Sequence, residues 1–226
     1  MRGAVIAAIT KPAGRKSLYH CTRVRNLPAI AHFDALLSSH TINPNHLGER
    51  RSEVIEVVYK DFPVTINAHL KIPDRMIDTA CTQEQFRAYL DRHVFCWPTL
   101  RDCRKMMDSY TRKEPNEAFA VLEFDAYSLL LAHDSAVKLS KYDSGSSPRF
   151  PSRCSYRKSV EMFVTLDDFR SLINNTVPTK TSEIHEILIE DRVMNVSKYL
   201  RAVYTDDDQE VPERWKGLRK PATELS

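Results

Sequence analysis

The stretch KSLYHCTRVRNLPAI, residues 16–30, decides the fold and raises the question of function. The order aromatic, polar, small, polar in its first half predicts a β-strand whose successive side chains point to opposite faces. Tyr19 and Cys21 then share one face, whereas His20 and Thr22 share the other. The second half, with a proline and apolar residues at helical spacing, predicts a short helix directly after the strand. Two hydrogen-bonding side chains on one strand face require a partner.

Length and composition predict one globular domain with an ordinary charge balance. The chain has 226 residues, of which 42% are apolar and 28% charged, as in typical folded domains. Its net charge of +3 comes from 33 basic and 30 acidic residues that are well mixed. Charge alone therefore indicates neither nucleic acid nor a membrane surface as a partner. We expect the domain to span residues 1–204, and residues 205–226 to form a frayed polar tail with Trp215 as its anchor.

The cysteines and the N-terminus favour a cytoplasmic protein with reduced thiols. No two of the five cysteines lie closer than seven positions, so neither a disulfide framework nor a metal knuckle is indicated. The histidines also lack metal-binding spacing, and we expect no metal site. The apolar run at the start, MRGAVIAAIT, is too short to span a bilayer and is not followed by a cleavage signature. We expect no membrane association.

The order of the predicted elements indicates an α+β fold. Only five glycines occur, and neither G-x-G-x-x-G nor G-x-x-x-x-G-K is present, which argues against a Rossmann dehydrogenase and a P-loop enzyme. Strands and short helices follow one another without the regular alternation of a parallel sheet. They include a helix after Thr82 that Gln85 completes as a capping box, and a strand over residues 184–189. We therefore expect small antiparallel sheets that line a cleft.

A carboxylate in the strand HEILIED is a catalytic candidate that the residues themselves offer. Glu186 lies between Ile184 and Ile187, and a carboxylate in such an apolar strand is costly unless its pocket uses it. Glu161, in SVEMFV, is the alternative because it also lies in an apolar, strand-like run. Both carboxylates stay open at this point.

The run HVFCWP places aromatic side chains on one face of a further strand. Alternation puts Phe95 and Trp97 on one face, and Val94 and Cys96 on the other. Aromatic runs usually pack into a core. Either both faces pack in this way, or the face with Phe95 and Trp97 lines a cleft.

Four motifs taken together resemble a known family. The segment LYHCTRVRNLPAIAHFDALLSS is similar to the opening of DarT-type ADP-ribosyltransferases and of a less characterised bacterial family related to them, with a Y-H-x-T strand, an N-L-x-x-I helix and a G-L-L-S end. DALLS lacks the usual glycine near Asp34. HVFCWP resembles a V-F-F-W segment, and VKLSKYDSGS resembles an asparagine-serine-glycine turn with Asp143 in place of asparagine. HEILIEDRVMNVSKYLRAVY resembles the segment that holds the catalytic glutamate, and the order agrees over residues 18–204.

This resemblance implies an ADP-ribosyltransferase fold in which two small antiparallel sheets form a cleft for NAD, the co-substrate. It implies that Glu186 is the catalytic carboxylate, and the residues downstream of it favour it over Glu161. It also implies the cofactor-binding residues, with an aromatic wall and an arginine for the pyrophosphate, for which Arg50 and Arg51 are both in place. The cofactor-binding candidates are His20, Thr22, Asn26, Arg51, Phe95 and Trp97. The partner that the first strand requires is then a dinucleotide.

The serine-rich stretch over residues 144–159 predicts a surface loop. Arg149, Arg153, Arg157 and Lys158 make it basic, which suits a phosphate-bearing acceptor such as DNA or RNA, although a solvated basic loop explains the same charges. We thus expect an NAD-dependent mono-ADP-ribosyltransferase that modifies a macromolecule in a toxin or defence context, with a cognate antitoxin as a further partner. The alternatives are an RNA 2′-phosphotransferase and a non-catalytic nucleotide-binding module of the same fold.

Overall fold

The structure, a computed structural model, describes residues 1–207 and 209–225. Within these residues, short helices surround two four-stranded and two two-stranded sheets. The helices are α1 Arg2–Thr10, α2 Leu27–Phe33, α3 Ser39–Ile42, α4 Gln83–Asp91, α5 Leu100–Lys113, α6 Ala126–Ala132 and α7 Val196–Tyr199. The strands are β1 Ser17–Arg23, β2 Ala35–Leu37, β3 Ile55–Tyr59, β4 Phe62–Ile66, β5 His93–Cys96, β6 Phe119–Asp125, β7 Val137–Ser140, β8 Phe163–Thr165, β9 Glu186–Glu190, β10 Arg192–Met194, β11 Leu200–Tyr204 and β12 Arg219–Lys220.

The two larger sheets are joined through β1 and β5. The first sheet has the strand order β1-β6-β11-β12, and the second has the order β5-β9-β7-β8. Paired strands are antiparallel apart from β11 and β12. The Tyr19 amide donates to the Trp97 carbonyl at 2.9 Å, and the Trp97 amide donates back at 2.8 Å. The expected α+β class with small antiparallel sheets is confirmed.

Strand β9 is deeply buried because strands pair with both of its edges and apolar side chains pack on both of its faces. It lies between β5 and β7, and residues 186–189 are 0% exposed. Ile187 and Ile189 pack into the main core, whereas Leu188 packs with Phe86 on the opposite face. By alternation Glu186 shares the face of Leu188. A carboxylate in such a place requires a physical reason.

The capping residues that the sequence indicates are in place. Helix α4 begins after Thr82, whose side chain accepts from the Gln85 amide while the Gln85 side chain accepts from the Thr82 amide.

At the end of α2, Asp34 adopts a left-handed conformation with φ of 48°. Its carboxylate accepts hydrogen bonds from the Ser197 amide and hydroxyl at 2.8 and 2.6 Å. These bonds tie α2 to α7 and offset the strain that a glycine would have avoided.

The C-terminal segment is packed, although its polar composition predicts a frayed tail. Strand β12 pairs in parallel with β11. Trp215 is 1% exposed in the main core, and its indole nitrogen donates to Ser197 at 3.0 Å. Val211 and Leu225 are also buried. A few apolar residues therefore fix a segment that is polar on average.

The stretch over residues 144–159 is irregular, as expected, apart from a turn of 3₁₀ helix at Pro151–Arg153. The four cations of this stretch differ in their exposure. Arg149, Arg153 and Arg157 are exposed, but Lys158 is 0% exposed. Its ammonium is used inside the protein, which composition alone does not reveal.

No helix in the described part of the chain is long and apolar enough to cross a membrane.

Candidate active site

A cavity of about 210 Å³ lies where β1, β5 and the β3–β4 hairpin approach one another. Five of the sequence-predicted site residues line it, and two do not. Its wall includes His20 and Thr22 from β1 and Phe95 from β5. It also includes Asn26, which precedes α2, and Arg51, which lies in the loop before β3. Trp97 and Glu186 are not part of that wall in the described residues.

His20 presents a hydrogen-bond acceptor. Its Nδ1 lies 2.7 Å from the Phe95 carbonyl oxygen. Because a carbonyl only accepts, Nδ1 carries the proton. Burial lowers the pKa of His20, and the bond to Phe95 only partly opposes this effect. The neutral imidazole therefore offers the lone pair of Nε2 to a ligand that donates.

Asn26 lines the cavity but uses its side chain to hold the hairpin. Its Nδ2 donates to the Thr65 carbonyl at 2.9 Å, and its Oδ1 accepts from the Thr65 amide at 2.9 Å. The amide thus pairs with β4 as a neighbouring strand would. We assign Asn26 a structural contribution to the cavity wall, since both ends of its amide are engaged.

Arg51 is the arginine that reaches the cavity, whereas the side chain of Arg50 is exposed and donates to the carbonyls of His69 and Leu70. Nη2 of Arg51 donates to Asp91 at 2.5 Å, and Nε donates to the Asn67 carbonyl at 3.2 Å. The planar guanidinium is therefore held in one orientation at the cavity wall.

Asp91, which sequence reasoning did not single out, is the acceptor that organises this wall. It is 3% exposed and also accepts from Nε2 of His69 and from the Gly48 amide, each at 3.0 Å. Burial opposes ionisation of Asp91, but the bonds from His69 and Arg51 hold its pKa well below the usual range. Nδ1 of His69 accepts from the Arg51 amide at 3.1 Å, so Nε2 carries the proton.

His93 is a second acceptor that sequence reasoning missed, because it considered this residue only as a metal ligand. Nδ1 of His93 donates to the Tyr89 carbonyl at 2.7 Å, and the ring stacks on Tyr89. Burial lowers the pKa of His93. Its Nε2 is buried and has no hydrogen-bond partner in the described residues, and the residue lines the cavity. Alternation along β5 would have found it, since His93 and Phe95 share a face.

The two aromatic residues of HVFCWP have different positions. Phe95 lines the cavity. Trp97 is 5% exposed and packs with Cys103 and Met106 of α5 in a separate core cluster. Of the two candidates for an aromatic wall, the structure brings only Phe95 to the cavity.

Glu186, the first residue of β9, is 0% exposed and is partnered at one oxygen only. The Ser144 amide donates to its Oε2 at 3.2 Å, and the Ser144 hydroxyl donates to the same atom. Its Oε1 is buried without a hydrogen-bond partner in the described residues. Burial, and then the charge of Asp143, raise the pKa of Glu186. The alternative, Glu161, is exposed on a 3₁₀ turn and not in a strand.

Both ends of the predicted site border strand β5. His20 bonds to Phe95, while Ile187, which follows Glu186, pairs with Cys96. The turn at residues 143–145 contacts both regions, because Ser144 bonds to Glu186 and Gly145 lines the cavity. This turn thus connects the Glu186 carboxylate to the cavity wall.

Comparison with known proteins assigns the family. Residues 16–200 match a family of unknown function, DUF7002, and the chain belongs to this family. No curated protein matches the sequence. The structure is similar to that of DarT from Thermus sp. 2.9 in complex with NAD+, with 13% identity, coverage of 93% of this chain and 94% of that chain, and a TM-score of 0.42. It is also similar to the same protein in complex with ADP-ribosylated ssDNA, with 14% identity, coverage of 92% of each chain and a TM-score of 0.41.

Proposed function

We propose that the protein is an NAD-dependent mono-ADP-ribosyltransferase with a cavity for the dinucleotide and Glu186 as its catalytic carboxylate. One observation carries this proposal: within the described residues, a wholly buried glutamate retains an oxygen without a hydrogen-bond partner, and the turn that binds its other oxygen also lines the cavity. A buried acceptor of this kind costs free energy unless a ligand uses it. The motifs Y-H-x-T and x-E-x-L, which meet at β5, support the same conclusion.

The reaction explains why a carboxylate is needed. When the bond between nicotinamide and ribose breaks, nicotinamide leaves with the bonding electron pair and the ribose gains oxocarbenium character. A fixed carboxylate offsets that positive charge and orients the ribose hydroxyls. Oε1 of Glu186, which has no hydrogen-bond partner in the described part of the chain, is an acceptor for such a hydroxyl. A nucleophile on the acceptor then bonds to the ribose carbon and releases its proton.

The cavity wall suits the remaining parts of NAD. Nε2 of His20 and Nε2 of His93 accept from ligand hydroxyl or amino groups. The guanidinium of Arg51 is the donor for pyrophosphate oxygens, and Phe95 offers an aromatic surface for a ring. The turn at residues 143–145 links the two parts of the proposed site, since Ser144 bonds to Glu186 and Gly145 lines the cavity.

The acceptor is proposed to be a nucleic acid, in a toxin or defence context with a cognate antitoxin. Phe150 is 54% exposed, and the guanidinium groups of Arg149 and Arg153 lie 5.4 and 5.3 Å from the centre of its ring. An exposed aromatic flanked by cations suits a stacked base and its phosphates.

The second candidate is a non-catalytic dinucleotide-binding module. The observation in its favour is that Glu186 does not line the cavity in the described residues. Such a module would bind NAD without releasing nicotinamide.

Incubation with NAD labelled in its adenylate half, together with single-stranded DNA, RNA and protein, tests the proposal. We expect release of nicotinamide and transfer of the label to one acceptor. An increase in melting temperature with NAD but no release would establish the binding module. If NAD causes neither nicotinamide release nor an increase in melting temperature, both candidates are refuted.

A further inference from the structure

Lys158 is a buried cation that the proposed reaction does not yet use. It is 0% exposed, which is rare for a lysine unless its ammonium is paired. Its main chain is also fixed, because the Lys158 amide donates to the Met76 carbonyl at 2.6 Å and its carbonyl accepts from the Asp78 amide at 2.9 Å. Both ends of this residue are therefore held in place.

The ammonium is used to hold the turn above Glu186. Nζ of Lys158 donates to the Asp143 carbonyl and, at 3.0 Å, to the Ser144 carbonyl. The amide and hydroxyl of Ser144 in turn donate to Oε2 of Glu186. A continuous chain of hydrogen bonds thus runs from the lysine to one oxygen of the carboxylate, while the other oxygen has no hydrogen-bond partner among the residues that the structure describes.

We propose that Lys158 is a positioning residue for Glu186, which holds the Ser144 turn against one carboxylate oxygen, favours the ionised carboxylate and keeps the other oxygen available to the substrate. This inference rests on the proposed function for its role in turnover. Its effect on the carboxylate itself does not depend on NAD.

The surroundings of Glu186 require such a charge. Within the described residues, the ionisable groups that act on it are Asp143 beyond β7, Lys158 before β8 and the neutral thiol of Cys96 on β5. Burial and Asp143 both disfavour the carboxylate form, and Lys158 is the cation that favours it. Burial in turn lowers the pKa of Lys158, while the charges of Asp143 and Glu186 oppose that effect. Loss of the ammonium therefore makes Glu186 harder to ionise.

Carbon NMR of protein labelled at the glutamate carboxyl tests this inference without substrate. Glu186→Gln identifies the resonance of interest by removing it. We expect Lys158→Met to raise the pKa of Glu186 by about 1 unit or more, because an opposite charge nearby shifts a carboxyl by that order. Arg157→Met is the matched control, since it removes an exposed cation one position earlier and should leave the pKa unchanged.

Two further variants separate charge from hydrogen bonding. Lys158→Gln retains N–H donors for the two carbonyls without the charge, and it replaces Lys158→Met if that protein does not fold. Ser144→Ala removes only the hydroxyl and should also raise the pKa of Glu186. An unchanged pKa in the folded Lys158 variants, or in Ser144→Ala, would overturn the inference.

Nicotinamide release distinguishes this inference from the proposed function. In an active protein, Lys158→Met should turn over about tenfold more slowly at neutral pH for each unit of pKa increase, with recovery at higher pH. A merely structural role would lower the rate equally at every pH, and that result would contradict the inference. If the parent protein releases no nicotinamide, the proposed function fails, while the NMR titration still decides the role of Lys158.

Discussion

Asp91 organises the polar wall of the cavity by accepting from three different segments. It accepts from the hydroxyl of Ser39, from the Gly48 amide and the Arg51 side chain of one loop, and from the side chain of His69. Removing one partner from such a buried pair leaves a charge without compensation. The orientation of Arg51, and hence pyrophosphate binding under our proposal, depends on this carboxylate.

We predict that Asp91→Asn lowers the free energy of unfolding by about 3 kcal/mol at neutral pH, since it breaks a buried ion pair. The pKa of Asp91 is depressed in the folded protein. Its stabilising contribution is therefore present above the unfolded value of 3.8 and is lost as the pH falls further. Thermal unfolding at several pH values should show the difference from the parent shrinking below about pH 4.

Asp108→Asn, which changes an exposed carboxylate of α5, is the control for this comparison. Its free energy of unfolding should equal that of the parent at every pH. If the difference in the free energy of unfolding between Asp91→Asn and the parent stays constant down to pH 2, Asp91 is not the buried, ion-paired carboxylate that we infer.

At the residue scale, sequence reasoning found side chains whose own neighbours mark them. Glu186 was recognisable because it interrupts an apolar strand, and His20 because it shares a strand face with a threonine. Asp91 and Lys158 have no such local signal. Their partners are distant in the chain, so their roles emerge only when tertiary contacts form.

At the element scale, the side chain of Asn26 connects the β3–β4 hairpin to the turn between β1 and α2. The two bonds between Asn26 and the main chain of Thr65 hold β4 at the cavity wall. Val58 at the far side of the hairpin is 76% exposed, so little apolar burial supports that end. A two-stranded hairpin needs such additional support.

We predict that Asn26→Ala loosens this hairpin. Each of the two lost hydrogen bonds contributes about 1 kcal/mol, and the Thr65 main chain is left without its partners. Hydrogen exchange should accelerate at the amides of β4 while those of β9 keep their protection. Asn45→Ala, at an exposed position, should change neither strand. Equal acceleration in β4 and β9 would mean that Asn26 supports the whole fold and not the hairpin.

The elements that the sequence predicted well are those with strong local chemistry. The capping box of Thr82 and Gln85 sets the start of α4. The left-handed end of α2 could not be predicted in this way, because Asp34 adopts it with the help of Ser197, which lies far along the chain. The departure from a glycine therefore does not disrupt the fold.

At the scale of the whole molecule, the C-terminal segment is part of the first sheet. Trp215 fills the main core, and β12 extends the sheet beside β11. The average composition of this segment is polar, and for that reason the sequence predicted a frayed tail. The packing comes from one tryptophan and one short strand, which an average over the segment does not reveal.

We predict that Trp215→Ala destabilises the protein by about 3–5 kcal/mol, the usual cost of truncating a buried large aromatic side chain. Phe150→Ala, which truncates an exposed aromatic residue, should leave the melting temperature nearly unchanged. Denaturant unfolding measures both effects. A small effect of Trp215→Ala would show that the segment after β11 is dispensable for the fold.

The central claim is that Glu186 supports cleavage of NAD, and the rate of nicotinamide release tests it directly. Glu186→Gln should lower that rate by about 10²- to 10³-fold, the usual cost of losing one group that stabilises developing charge. Its melting temperature should not fall, because the substitution removes a buried carboxyl with a raised pKa. Glu161→Gln, at an exposed carboxylate, should release nicotinamide at the parent rate. Full activity in Glu186→Gln, or loss of activity in Glu161→Gln alone, would contradict the account.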